Sequence, residues 1–233
     1  MDIKTFTKTD LETWLVEHGE KPYRAAQVLK WIYQRGATTF DEMSDLSLSL
    51  RTLLTQSFSV DRLACVRMTP ANDGTQKFLF ALADSRYIES VLIPAEDRLT
   101  LCLSSQVGCA MGCRFCATAQ VRPVRDLTEA EILSQIWEVQ QTLGAEQRLT
   151  NLVFMGMGEA LANYDHVVKA LGIITADWGF NFSPRRVTVS TVGLVPQMHR
   201  LLSETNVNLT VSLTATTNEL RNTLMPVNRR FSA

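Results

Sequence analysis

Three of the chain's five cysteines fall within eight residues, as Cys109-Ala-Met-Gly-Cys113-Arg-Phe-Cys116. A C-x₃-C-x₂-C run of this kind obliges one short loop to carry three thiols, and the surrounding fold must accommodate what they bind. Closely spaced cysteine thiolates commonly hold iron–sulfur clusters. A [4Fe-4S] cluster with only three protein ligands leaves one iron open to a substrate or cofactor. That open iron separates chemistry at the cluster from electron storage. A structural zinc site is the competing reading, because its ligands are also Cys and His at short spacings. Closed zinc sites are four-coordinate, and none of His18, His166 and His199 flanks the cysteines. The cluster is the expected occupant.

At 233 residues the chain suits one large domain or a modest domain with a small companion. Its 45% hydrophobic content can fill a core. The net charge of −1 gives no global positive field, so nucleic-acid binding would rest on local patches. An odd number of cysteines with a clustered trio does not read as a secreted disulfide framework and points to a reducing compartment. No apolar run approaches the roughly 20 residues of a membrane helix. Met1-Asp2-Ile3-Lys4-Thr5 lacks the layout of a signal peptide. A cytoplasmic protein with no membrane partner is expected.

Residues 1–60 read as helical. Thr9-Asp10-Leu11-Glu12 has a capping-box pattern, Pro22 opens a second helix with Ala25, Val28, Leu29 and Ile32 on one face, and Leu46, Leu50, Leu53 and Leu54 suggest a third. The texture then changes. Leu63–Met68, Lys77–Leu82 and Tyr87–Ile93 read as strands, separated by Asn72-Asp73-Gly74 and by Asp84-Ser85. From Leu99 a βα rhythm begins. Strand-like runs at Leu99–Leu103, Leu149–Met155, Val187–Thr191 and Val207–Leu213 alternate with helical ones. Those helices follow the capping box at Thr128, begin at Tyr164, and follow Pro196 and Thr217. Such alternation predicts a parallel sheet or barrel. About four βα units are too few to close an eightfold barrel.

The cysteine spacing resembles that of the radical S-adenosylmethionine (radical SAM) enzymes. Further segments resemble, within that superfamily, the RlmN/Cfr family of RNA adenine methyltransferases. They are Thr100-Leu-Cys-Leu-Ser-Ser-Gln-Val-Gly-Cys109, Phe154-Met-Gly-Met-Gly-Glu159, Arg185-Arg-Val-Thr-Val-Ser-Thr191 and Met225-Pro-Val-Asn228. Tyr23-Arg-Ala-Ala-Gln-Val-Leu-Lys-Trp-Ile-Tyr33 looks like that family's accessory domain. The resemblance implies an α/β fold of three parts: a helical accessory domain over 1–60, a small antiparallel β segment over 61–97, and an open, partial βα barrel of radical SAM type over 98–233.

It also implies a function, methylation of adenine C2 in 23S rRNA and tRNA, with one [4Fe-4S] cluster held by Cys109, Cys113 and Cys116, S-adenosylmethionine on the open iron, and a reducing electron-donor protein. In that chemistry a methyl group first moves to a C-terminal cysteine. A 5′-deoxyadenosyl radical then takes a hydrogen from it, and the methylene radical adds to adenine. By position, Cys102 helps to break the resulting protein–RNA adduct and Glu89 accepts the proton. On its residues alone, Cys102 in a strand reads as a small packed hydrophobe, and Glu89 as part of a solvated strand face. The resemblance also implies a disulfide bond. Cys65 carries no motif and reads as packing.

Ligands of parallel α/β sheets bind beyond the carboxyl ends of the strands. Gly156-Met-Gly158-Glu159 follows one such strand, with glycines for close approach and Glu159 as acceptor for the methionyl ammonium. Ser190 ends the next strand, and Ser212-Leu213-Thr214 the one after; all match cofactor-contact positions of the family. An ordinary glycine-rich turn and polar strand ends give the same pattern without a ligand. Lys21, Arg24, Lys30, Arg35, Arg122, Arg125, Arg185 and Arg186 are the candidate RNA contacts, each equally readable as a solvated face.

Three positions depart from the family pattern. Ala160 stands for a proline, Val192 for a serine and Thr214 for a histidine. The family also continues beyond Ala233 with the methyl-accepting cysteine, and no cysteine here follows Cys116. The expectation is a truncated enzyme that cannot complete methyl transfer alone: a truncated gene product, a fragment whose C-terminal part is separately encoded, or a diverged protein with another role. A non-catalytic RNA- or ribosome-binding remnant and a zinc-stabilised domain are the alternatives.

Overall fold

The computed structural model describes every residue except Pro123, Ala145 and Ala233. Three helices open the chain: α1 (Lys8–Glu17), α2 (Arg24–Tyr33) and α3 (Leu48–Ser57). The first cap differs from the expected one. Thr7, not Thr9, is the N-cap: its hydroxyl accepts from the Asp10 N–H, and the Asp10 carboxylate accepts from the Thr7 N–H. Aspartate fills the place that the capping box usually gives to glutamate. Likewise α2 begins at Arg24, after a turn in which the Lys21 and Pro22 carbonyls accept from Arg24 and Ala25. Ala25, Val28, Leu29 and Ile32 form its buried stripe at the i, i+3, i+4, i+7 spacing.

The next four strands, β1 (Ala64–Pro70), β2 (Gln76–Ala81), β3 (Tyr87–Ala95) and β4 (Arg98–Cys102), make an antiparallel meander. After β4 come a short pair, β5 (Gln106–Val107) and β6 (Arg125–Asp126), and then α4 (Glu129–Thr142). The chain continues as β7 (Asn151–Phe154), α5 (Tyr164–Thr175), β8 (Val187–Thr191), α6 (Val195–Glu204), β9 (Asn208–Val211) and α7 (Asn218–Leu224). From β4 onward the pairing of β7, β8 and β9 is parallel. Meander and parallel strands form one seven-stranded sheet in the order β1-β2-β3-β4-β7-β8-β9. The architecture is α/β with an open sheet, and β4 is the strand on which its two halves meet. The β5–β6 pair, too short to leave a periodic pattern, was not expected.

Alternation divides the sheet's residues between two faces. Phe78, Phe80, Ile88, Leu92, Leu101, Leu152, Phe154, Val187 and Val189 are buried, in one core with apolar residues of α4 and α5. The other face carries Glu89, Val91, Thr100, Cys102, Val153, Thr188 and Ser190, all only half-buried. It is the inner wall of the partial barrel. Among the described residues no helix is long and apolar enough to cross a membrane.

Two polar devices fix this arrangement. The first is Gln135 of α4, fully buried. Its Oε1 accepts from Ser90 Oγ (2.8 Å) and from the Ser104 N–H (2.8 Å), and its Nε2 donates to the Ser104 carbonyl (3.0 Å). One amide thus ties β3 to the chain leaving β4. The second docks the N-terminal segment onto α4 and α5. Lys169 Nζ donates to the Thr5 carbonyl (2.6 Å) and to Glu129 Oε1 (2.7 Å), and His166 Nδ1 meets Glu129 Oε2 at 2.6 Å. Trp137 Nε1 donates to the Ile32 carbonyl (2.9 Å), and Arg62 forks onto Glu138 (3.1 and 2.8 Å).

Replacing Gln135 by leucine strands the Ser104 N–H and carbonyl in the interior; a loss of about 3 kcal/mol is expected, since each unsatisfied buried group costs about 1–3 kcal/mol. Urea denaturation of Gln135→Leu measures it. The docking carries a pH dependence. Burial pushes the Glu129 carboxyl up, but hydrogen bonds from Lys169, its own N–H and His166 outweigh this and hold it below the ordinary carboxylate value. A depressed value means that the stabilisation is complete above the unfolded-state value, near 4.3. It is lost as pH falls through the depressed folded value. Glu129→Gln is expected to lower stability at neutral pH and to flatten the acid limb, measured as Tm against pH.

Candidate active site

The loop between β5 and β6, beyond the end of β4, carries all three clustered cysteines. It turns at Gly108, where φ is +71° and a Cβ would stand 2.5 Å from the Val121 carbonyl oxygen. Side chains and backbone then pin it. Arg122 Nη1 donates to the Cys109 carbonyl (3.1 Å), the Cys116 N–H to the Cys113 carbonyl (3.1 Å), and the Arg114 N–H to the Leu224 carbonyl at the end of α7 (2.9 Å).

Cys109, Cys113 and Cys116 line one cavity of about 320 Å³. The ends of β7, β8 and β9 supply its other walls, with Gly158, Glu159, Ser190, Ser212 and Thr214 among them. The geometry therefore gathers the cysteine trio and all but one of the residues expected at the cofactor. The exception is Leu213. Its side chain is 48% exposed and is not among those lining the cavity. It lies beyond β9, in the turn around Thr214, and its neighbours Ser212 and Thr214 line the cavity while it does not. Its carbonyl is used instead, as an acceptor for Arg221 Nε (3.1 Å).

Two glycines let the β7 turn approach. A Cβ on Gly156 would lie 2.7 Å from the Leu103 oxygen, and one on Gly158, at φ +100°, 2.6 Å from the Gln106 Cβ. Glu159 is buried beneath them. Its Oε2 accepts from the Val192 N–H (2.9 Å) and its Oε1 from the Leu161 N–H (3.2 Å). Burial pushes its carboxyl above the ordinary range, against the pull of the Thr191 hydroxyl and those two N–H donors. The turn with Ala160 in place of proline is held by other means: the Glu159 N–H donates to Gln106 Oε1 (2.9 Å) and the Ala162 N–H to the Glu159 carbonyl (3.0 Å). Thr214 has φ +61°. That conformation is costly for a β-branched residue and persists only where its surroundings impose it.

Burial raises the Cys109 and Cys113 thiols, and in both cases neighbouring thiols and Glu159 act in the same direction. Occupation by a metal group would release their protons, because thiolate is the ligating form.

Cys102 and Glu89 stand beside this cavity and do not line it. Cys102 faces Val91 on β3 and Val153 on β7 in register. Burial raises its thiol, partly offset by the Met155 N–H, and Met155 belongs to the cavity wall. Glu89 lies two residues from Val91 on the same face, so it is a diagonal neighbour of Cys102, about 7–8 Å between backbones. Its carboxylate pairs with Lys77 Nζ at 2.9 Å. The Glu89 carbonyl accepts from Ser104 Oγ (2.5 Å), which in turn accepts from the Met157 N–H (2.9 Å).

The implied disulfide is absent: all five cysteines are free. Cys65 and Cys102 lie on strands with two others between them. At the ~4.8 Å strand spacing that is about 14 Å, twice the reach of a disulfide. The basic candidates divide. Arg125 is spent on Glu131 (2.9 Å by each Nη), Arg122 holds the cysteine loop, and Arg35 stacks on Trp31 (4.2 Å to the ring centroid).

Four buried polar residues that shape the site were not expected from sequence. Besides Gln135 they are Gln106, which donates to Asp126 (2.6 Å), Asn163, which donates to the Ser105 and Leu127 carbonyls (2.8 and 2.7 Å), and Arg221. Gln135 had a legible signal, a glutamine inside the apolar stripe Ile132, Leu133, Ile136. The others sit in or beside loops, where polar residues are ordinary.

Comparison with known proteins extends this geometry. Residues 1–60 match the family described as ribosomal RNA large subunit methyltransferase N-terminal domain, and residues 103–232 match the radical SAM superfamily. The chain is 52% identical to the dual-specificity RNA methyltransferase RlmN of Desulfosudis oleivorans, over 99% of this chain and 62% of that protein. For the protein of the same name from Geobacter sulfurreducens the identity is 52%, over 99% and 63%. For that of Syntrophobacter fumaroxidans it is 50%, over 98% and 67%. The chain thus spans somewhat under two thirds of the first two relatives. The crystal structure of a radical SAM methyltransferase from Sphaerobacter thermophilus superposes with a TM-score of 0.92 at 41% identity, covering 100% of this chain and 69% of that one. With both parts of the sequence matched in order, the cysteine loop at the head of the parallel strands and the fold in common, this chain belongs to the RlmN family of radical SAM proteins.

Proposed function

We propose that this chain supplies the cluster- and cofactor-binding core of an RNA methyltransferase that modifies adenine C2 in 23S rRNA and tRNA. The observation that carries the reading is the shared cavity: three thiols on one wall, with Gly158, Glu159, Ser190 and Ser212 on the others. The donor set suits the group that radical SAM membership implies. Three soft thiolates on one loop favour iron–sulfur ligation. Among the described residues no three His, Cys, Asp or Glu side chains are arranged around a single metal ion. A cluster takes one thiolate per iron, so its ligands need not converge on one point. When bound, a [4Fe-4S] cluster with S-adenosylmethionine supplies a radical able to abstract hydrogen.

The chain's own residues do the rest. Cys109, Cys113 and Cys116 hold the cluster and leave one corner free. Glu159 accepts from the methionyl ammonium, and Gly156 and Gly158 let that group come close to the backbone. Ser190 and Ser212, whose hydroxyls stand 3.4 Å apart at adjacent strand ends, offer hydrogen bonds to the polar part of the cofactor. Thr214, in place of the family's histidine, gives a hydroxyl where a ring could both donate and accept. Cys102 and Glu89 take the later steps, release of the adduct and acceptance of the adenine proton. Their place beside the cavity rather than in it suits groups that meet the RNA base and not the cofactor. Lys77, 2.9 Å away, holds the Glu89 carboxylate on the open face.

Methyl transfer to RNA is proposed for the protein at the length its relatives have. This chain's part is cluster assembly, cofactor binding and cofactor cleavage. The remaining partners in this reading are the structured RNA substrates and a reducing electron-donor protein. The location is the cytoplasm, where five free thiols survive.

Anaerobic reconstitution is expected to give about four irons per chain, the content of one cubane cluster. With dithionite and S-adenosylmethionine, 5′-deoxyadenosine should appear; Cys113→Ala should lose both. Stoichiometric zinc, or intact cofactor after reduction, would refute the proposal, and the latter result would favour a non-catalytic RNA-binding protein. Cys102→Ala and Glu89→Gln provide a second check. Both are expected to keep wild-type iron content and deoxyadenosine release, because neither side chain lines the cavity. Loss of iron from either variant would place it in the cluster's environment and remove its assignment to the RNA steps.

A further inference from the structure

We propose that Arg221 is the positioning residue that sets the mouth of the cofactor cavity, an inference that rests on the cofactor reading above. Arg221 lies on α7, outside every segment expected to touch the cofactor, and is only 3% exposed. Its guanidinium spans two strand ends. Nη2 donates to the Val192 carbonyl beyond β8 (2.7 Å), and Nε to the Leu213 carbonyl beyond β9 (3.1 Å). Nη1 is anchored on Asn228 Oδ1. These two carbonyls flank the cavity's polar lining, with Ser190 and Thr191 before one and Ser212 and Thr214 around the other.

Three further features make this more than a local tie. Val192 is gripped from both sides: its carbonyl takes the guanidinium and its N–H goes to the buried Glu159 carboxylate (2.9 Å). Any shift of Arg221 is therefore felt at the group assigned to the methionyl ammonium. Next, the Leu213 carbonyl also receives the Ala215 N–H (2.6 Å), closing a tight turn around Thr214 at φ +61°. Arg221 holds the carbonyl on which that strained turn is built. Finally, the helix that carries Arg221 reaches the cysteine loop, through the Arg114 N–H to the Leu224 carbonyl (2.9 Å), and Met225 lines the cavity. One side chain and its helix so connect the β8 end, the β9 end and the cysteine loop.

The choice of residue fits the task. A planar fork with several fixed donors can hold two carbonyls at a set separation, which a lysine ammonium on a flexible stem cannot. Among the described residues no carboxylate lies within ion-pair distance of Arg221. A buried guanidinium with only neutral acceptors is costly. Arg221 does not itself line the cavity; it stands behind Val192, which does, and acts on the wall through the carbonyls it holds.

The test compares wild type, Arg221→Met and Arg221→Lys, each as the full chain reconstituted without oxygen. Iron content, Tm, the affinity for S-adenosylmethionine by equilibrium dialysis, and the change in the reduced cluster's electron paramagnetic resonance spectrum on adding that cofactor are measured. Iron content is expected to match wild type in both variants. Arg221→Met should raise the Kd by at least about tenfold, the change that stranding buried carbonyls produces, and should shrink the spectral change. Arg221→Lys should fall between, since an ammonium satisfies one carbonyl and not both. A purely stabilising Arg221 would lower Tm and leave Kd and the spectral change as in wild type; that result in the folded variants overturns the proposal. Should Arg221→Met not fold, the lysine variant decides on the same readouts. Wild-type protein that neither loads iron nor binds the cofactor would fail the cofactor reading itself, a different outcome from equal binding by all three proteins.

Discussion

The parallel register of β4, β7, β8 and β9 brings four strand ends to one side of the sheet, and the cysteine loop, Glu159, Ser190, Ser212 and Thr214 all lie beyond or at those ends. Parallel strands require a crossover between them, and here α4, α5 and α6 provide it. The crossovers lie on the apolar face and leave the other face half-open. The loops at the carboxyl ends are then free to carry chemistry, because the strands and helices already hold the core. The cysteine loop, the Gly156–Glu159 turn and the segments after Ser190 and Ser212 are four instances of one geometric position.

Much of this was legible in the chain. The α2 stripe, the strand β8 and the capping box at Thr128 follow from spacing alone. The convergence of Glu159, Ser190, Ser212 and Thr214 with the cysteines follows from the general rule that ligands sit beyond parallel strand ends. What spacing could not give is which side of a strand end a residue faces. Leu213 is expected among the cofactor contacts, and the turn beyond β9 leaves its side chain out of the cavity lining and gives its carbonyl to Arg221. The cap at Thr7 was missed for a similar reason. Thr7 and Thr9 both stand three residues before an acidic residue, Asp10 and Glu12, and only the folded chain shows which pair closes.

The buried polar residues mark the real limit of sequence reading. Gln135, Gln106, Asn163 and Arg221 each satisfy backbone groups in segments that leave the sheet. Such segments carry carbonyls and N–H groups with no ladder partner, and those cannot be left bare in the interior. A side chain must therefore reach them from elsewhere in the chain: Gln135 reaches Ser104 across 31 residues, and Asn163 reaches Ser105 across 58. No local pattern encodes a partner at that separation. The requirement itself is predictable, since a turn close enough to cradle a ligand is a turn with unpaired backbone.

The same accounting explains why the site has two compartments. The cavity that holds the cysteines is walled by the cysteine loop, the ends of β7, β8 and β9, and Met225 just after α7. Cys102 and Glu89 sit one step down the open face, where side chains are half-exposed and Glu89 is balanced by Lys77. A cofactor that must be shielded from water needs the first environment. In the proposed function the RNA base takes the second, since only an open face admits a macromolecule. Ser104 joins them: its backbone is fixed by Gln135, and its hydroxyl accepts from the N–H of Met157 in the cavity's β7 turn and donates to the carbonyl of Glu89. The cysteine cavity and the face that carries Cys102 and Glu89 are thereby held at a fixed separation by hydrogen bonds rather than by packing alone.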